Sequence, residues 1–210
     1  MGKISNWFPP FAGILFVAFF VLAVVLTGEG QDATKKTAAE IVDHYQDNED
    51  KEFIASVGIG LAATFSLYFA GWLRRVLRDA EGPDGILSAV AFGGALVFSA
   101  GAAIAASVHI ALADLADDID PVALQAINGI DYSLFVFFPV GLGTMAIAGG
   151  ISVIRHGAFP KWLGWLGIVG GVLFFGPAFF VALVLVPLWI LIVSVMGISR
   201  SREEAAPAAP

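Results

Sequence analysis

The 210-residue sequence has no cysteine at all. Disulfide frameworks, thiolate metal sites, iron–sulfur clusters and thiol redox chemistry are therefore excluded, whichever compartment the loops face. Charge is also scarce, at 14% of residues against about a quarter in soluble domains. Histidine occurs three times, as His44, His109 and His156. The few charges carry a net −7, which argues against a nucleic-acid surface. What remains is apolar: 58% hydrophobic residues, 24 glycines and a mean hydropathy of +0.85. This composition belongs to an all-α, polytopic transmembrane helical bundle and not to a soluble globule.

A spanning helix needs about 20 apolar residues at about 1.5 Å each. Four charge-free windows of that length stand out, at 8–27, 53–73, 86–108 and 132–154. A fifth window, Trp162 to Ile198, runs 37 residues without a charge, about 55 Å as one helix and far beyond a core of about 30 Å. Gly176-Pro177 is the turn-forming dipeptide near its middle. A hairpin close to Gly176–Val181 therefore divides it into spans at 160–178 and 181–199. The expectation is six spans within a single domain, 1–199, followed by a disordered cytoplasmic tail, 200–210, that ends in AAPAAP.

Basic residues in short loops set orientation. With six spans, eight of the eleven fall on the side of the termini: Lys3, Arg74, Arg75, Arg78, Arg155, Lys161, Arg200 and Arg202. Only Lys35, Lys36 and Lys51 fall opposite. Both termini are thus expected in the cytoplasm, with the chain in the plasma membrane. Trp7, Trp72, Trp162 and Trp165 sit at the same predicted boundary, where amphipathic rings settle. The first apolar run, Phe11–Leu26, is longer than a usual signal core, and the flank 27–32 has no small-residue cleavage site, so it reads as an uncleaved helix.

Two acidic outer loops, 28–52 and 114–131, hold thirteen acids against three lysines. Each carries signals for a short helix. In the first, Thr37 and Glu40 have capping-box spacing and Ile41, Val42 and Tyr45 share a face. In the second, Asp120 is the N-cap, Pro121 the first helical residue and Asn128-Gly129 the stop.

Small residues recur every fourth position in the third span, at Ala91, Ala95, Ser99, Ala103 and Ser107, and Gly167 and Gly171 form a GxxxG in the fifth. Such rows let helix backbones approach within the chain or between two copies. The glycine patterns at Gly58 and Gly141 fall inside spans, where the strand that a dinucleotide site requires is missing. Every lysine lies in a loop or the N-terminal cap and none within a charge-free window, which excludes a retinal Schiff base. Haem ligation across spans would need intramembrane histidines, and there are none. No cofactor is expected. His109 beside Asp114, Asp117 and Asp118, with His44 and Asp47 from the other loop, makes a candidate divalent-cation site, set against the plainer reading of solvated acids and interfacial histidines.

Three stretches, AAEIVDHYQDN, ALQAINGIDYSLF and HGAFPKWLGWLGIVGGVL, resemble a family of six-helix membrane proteins of unknown function common in actinobacteria. The likeness covers most of residues 7–198. It implies topology and carries no functional residue across. With span interiors free of ionisable groups, coupled transport is disfavoured. The leading expectation is a non-enzymatic accessory or structural membrane protein whose partners are the lipid bilayer and another membrane protein or a second copy. The alternative is a permease for small solutes or lipid-like molecules. A membrane enzyme using outer-loop acids is third.

Overall fold

In a computed structural model of the chain, residues 8–27 and 35–205 are described. Trp7, Lys3, most of the cleavage flank and the final segment 206–210 lie outside them. The first helix, α1, is Phe8–Thr27. The second, α2, spans Ala38–Glu81 and is 44 residues long, about 66 Å at the helical rise and twice a bilayer core. The capping box starts it. Thr37 Oγ accepts from the Glu40 amide at 3.3 Å, and the Glu40 carboxylate accepts from the Thr37 amide at 2.7 Å. These bonds hold the Glu40 carboxyl below its usual range, the Thr37 backbone N–H being the largest cause.

The short helix expected in the first loop is therefore not separate. It is an arm of α2, joined to the apolar run through one non-helical residue, Asn48 (φ −125°, ψ 16°). The Asn48 side chain donates to the His44 carbonyl at 2.9 Å, a local bond by which asparagine competes with the helical ladder.

Helix α3 covers Leu87–Asp114. Next, α4 (Pro121–Ser133) begins as the sequence indicates, with the Asp120 carboxylate accepting from the Val122 amide at 2.9 Å. The expected stop at Asn128-Gly129 is absent, because Asn128 turns inward to bond Tyr45 and the helix continues. A 3-10 turn, Leu134–Val136, and a π-helical segment, Phe138–Gly143, carry it into α5 (Thr144–His156). Pro139 explains the widened turn: its ring has no N–H to donate and would clash with the preceding turn of a regular α-helix. The span expected at 132–154 is thus the second half of a helical rod, Pro121–His156.

Helix α6 (Lys161–Leu173) ends well short of residue 178, and the chain turns through 174–178 around Gly176-Pro177 before α7 (Phe179–Ala205). Because α7 continues to Ala205, residues 200–205 are helical and not a loose tail. Five helical stretches are long and apolar enough to cross a membrane, and α6, with 13 residues, is shorter.

The helices close a ring in which α1 meets α2, α2 meets α3, α3 meets α5, α5 meets α6, α6 meets α7 and α7 returns to α1. Fully buried Trp189 of α7 fills the middle beside Gly149 and Gly167. Outward faces are apolar: Val25, Ile104, Phe180 and Val184 are all more than half exposed, as a lipid-facing surface requires. Of the expected small-residue row, Ala91, Ala95 and Ser99 are buried, while Ala103 and Ser107 are exposed. Ser99 Oγ lies 2.6 Å from Ser66 Oγ across the α2–α3 contact. Gly167 and Gly171 face α5 so closely that a Cβ would lie 2.9 Å from the Ala146 carbonyl or 2.7 Å from the Gly143 carbonyl. Trp72 is buried against Phe159, and Trp162 and Trp165 are exposed on α6.

A second, smaller core joins the α2 arm, the end of α3 and α4 through Ile41, Tyr45, Leu112, Ala113, Ala116 and Leu124. This cap marks one end of the bundle. The other end carries Arg74, Arg75, Arg78, Arg155 and Lys161 on exposed positions.

Candidate functional site

Beneath the cap lies a chain of ionisable groups. Glu52 is only 2% exposed, and a buried carboxylate must be paired or it is strongly destabilising. Its Oε1 lies 3.0 Å from His44 Nε2 and its Oε2 lies 3.2 Å from His109 Nδ1. The other ring nitrogen of His109, Nε2, lies 3.0 Å from Asp131 Oδ2. An imidazole with carboxylates at both nitrogens suits one protonation state, the imidazolium with two N–H groups. The 3.2 Å contact is close but poorly directed. Neither Glu52 Oε2 nor His109 Nδ1 has a partner in hydrogen-bonding geometry among the described residues.

Three helices, α2 with its arm, α3 and α4, assemble this chain. A straight helix would separate residues 44 and 52 by about 12 Å along its axis; the Asn48 kink lets the two side chains meet. His109 comes from the last turns of α3 and Asp131 from α4. Tyr45 fixes α4 against the arm: its hydroxyl donates to Asn128 Oδ1 at 2.9 Å with both groups buried. Burial pushes the Tyr45 hydroxyl up, helped by the charges of Asp131 and Glu52, so it stays a protonated donor.

His109 and Asp131 also line a cavity of about 520 Å³. Its other walls are almost wholly apolar and aromatic, including Phe20, Phe98, Phe137, Phe138, Phe179 and Phe180, with Ala102 and Ala105 giving it depth. The π-helical turn helps to form the aromatic wall, where the Phe137 and Phe138 rings stack at 4.3 Å and Phe138 meets Phe20 and Phe98 at 5.7 and 6.0 Å. All the lining residues lie toward the cap end of α1, α2, α3 and the rod, and at the start of α7. Among the described residues no lysine or arginine lines it. The site is thus a greasy pocket with a carboxylate and a captive imidazolium at its polar end, of the size and character that take a small amphipathic molecule.

The residues singled out as cation ligands do not converge. His44 and His109 turn to Glu52, whereas Asp47, Asp114, Asp117 and Asp118 are exposed, Asp117 accepting from the Gln46 side chain at 2.7 Å. Among the described residues no three His, Asp or Glu side chains are placed to hold a metal ion. A His109 ring that is protonated at both nitrogens has no lone pair for a metal. Glu52 and Asp131 are the site residues that the sequence did not single out. A signal for Glu52 was present: it directly abuts the charge-free run that starts at Phe53.

Apolar outward faces, closed-ring packing and long apolar helices define a helical membrane protein. Residues 11–200 match the family described as Domain of unknown function (DUF4386), and the chain belongs to that family. No curated protein matches the chain. No solved structure matches it either.

Proposed function

We propose that this is a non-enzymatic, six-span plasma-membrane protein that holds a lipid-like amphipathic molecule in the cavity beneath its cap. The cavity carries this reading: an aromatic pocket with His109 and Asp131 together at one end suits a tail and a polar head. The sixth span is α6 with its apolar flank through Ala178. Six crossings bring the two termini to the arginine-rich side, which is the cytoplasmic side by the distribution of basic residues. The cap, including α4 and the α2 arm, then faces outward and the cavity lies at outer-leaflet depth. All the lining sits in that half, which favours binding over a continuous pore. Cysteines introduced at Arg78 and Ser201 should react only with reagent on the cytoplasmic side and one at Ala123 only from outside; external labelling of position 201 would contradict six spans. Ala102→Phe, which fills the cavity, should abolish saturable binding of 1-O-tetradecylglycerol to the full chain in phosphatidylcholine nanodiscs. Binding equal to that of the wild type would contradict the cavity assignment.

A permease for a molecule of the same kind is the second reading. The observation in its favour is the π-helical turn at Pro139 in the cavity wall, since such turns frequently mark functional sites.

A further inference from the structure

We infer that the head group accepted by the cavity is a cation, so that the ligand class is a single-tailed organic ammonium. This rests on the cavity being an amphiphile site, and it concerns only the charge at its polar end.

The argument is one of charge complementarity. At the polar end the ionisable groups are His109 and Asp131, with Glu52 and His44 behind them. A carboxylate stands at each nitrogen of His109: Asp131 engages Nε2 at 3.0 Å, and Glu52 Oε2 lies 3.2 Å from Nδ1. Among the described residues, an anionic head group would find no lysine or arginine on the lining, and it would meet the carboxylate of Asp131. Asp131, in contrast, has one oxygen engaged by His109 Nε2 and, as an ionised carboxylate, can accept further hydrogen bonds.

The wall reinforces the sign. Phenylalanine and tyrosine faces attract ammonium groups through their quadrupoles, and this attraction strengthens on desolvation. Tyr132 and Phe135, one and four residues after Asp131, also line the cavity. A carboxylate and aromatic rings on the wall of one apolar cavity satisfy each part of such a ligand: charge, methyl or methylene groups on nitrogen, and tail.

The test compares three tetradecyl probes with the full chain in phosphatidylcholine nanodiscs: tetradecyltrimethylammonium, 1-O-tetradecylglycerol and tetradecyl sulfate. The ammonium should bind about tenfold tighter than the neutral ether, or better, a difference of about 1.4 kcal/mol, and the sulfate weakest. Asp131→Asn should erase the preference for ammonium over the neutral ether and strengthen sulfate binding relative to both, because the His109 charge is then less compensated. Asp131→Glu should keep the preference; its loss there would overturn the inference even if Asp131→Asn perturbs the fold. Equal binding of all three probes, preference for sulfate, or a preference that survives Asp131→Asn would also overturn it. The Ala102→Phe variant separates the two levels. If it removes all three probes and charge makes no difference, the cavity is right and the cation wrong; if it removes none, both fall.

Discussion

Glu52 is the residue on which the cap end turns. It bridges two histidines from different helices and is itself almost wholly shielded from solvent. Breaking a buried charge pair by removing one partner costs about 3–5 kcal/mol. Glu52→Gln, which keeps the shape and removes the charge, should lower the melting temperature of the purified protein markedly. In a double-mutant cycle, Glu52→Gln with His109→Gln should cost clearly less than the sum of the single changes, by roughly 1–3 kcal/mol of coupling. Additive effects would mean that the 3.2 Å contact contributes nothing to stability. The sequence placed His44 and His109 near acids but named the wrong ones. Asp114, Asp117 and Asp118 are His109's neighbours along the chain; its partners, Glu52 and Asp131, arrive from α2 and α4. Pairing across helices leaves no local spacing to read.

At the level of elements, legibility follows how local the cause is. The Thr37–Glu40 capping box and the Asp120 N-cap bond within a few residues, and both were readable. The turn at Gly176-Pro177 was readable for the same reason. Asn128-Gly129 was a false stop because a tertiary bond from Tyr45 outweighed local turn preference. The Asn48 kink gave no advance sign in a run of polar residues, and without it His44 could not reach Glu52. Close helix contacts were half legible. The GxxxG at Gly167 and Gly171 does abut α5, but the tightest approach of α3 to the π-helical turn uses Gly94 and Gly141, which the small-residue row missed. A Cβ on Gly141 would lie 2.6 Å from the Phe98 amide nitrogen, and one on Gly94 would lie 2.7 Å from the Gly141 carbonyl. Backbone cannot swing aside, so Gly141→Ala should destabilise the protein by about 1–3 kcal/mol. Gly60→Ala, where nothing lies within 4 Å, should be neutral or mildly stabilising by up to about 1 kcal/mol through helix propensity. Equal melting temperatures for the two variants would contradict the close packing of α3 on the rod.

For the whole molecule, composition and charge-free windows were enough to establish a helical membrane protein, because bilayer thickness imposes run lengths that survive any detail of packing. They could not reveal a cavity, which is a shape left between five elements and belongs to none of them. Phe20, Phe98, Phe138 and Phe179 look in sequence like ordinary span residues, and only their convergence gives them a common role. The central claim, that this space holds an amphipathic tail, is tested most directly by photolabelling. A tetradecyl ether with a diazirine in its tail should label peptides containing Phe98 and Phe137–Phe138 saturably, in competition with unlabelled ether, and Ala102→Phe should abolish that labelling. Labelling that does not saturate and is spread over outward-facing positions such as Leu22, Val184 and Val195 would contradict the account.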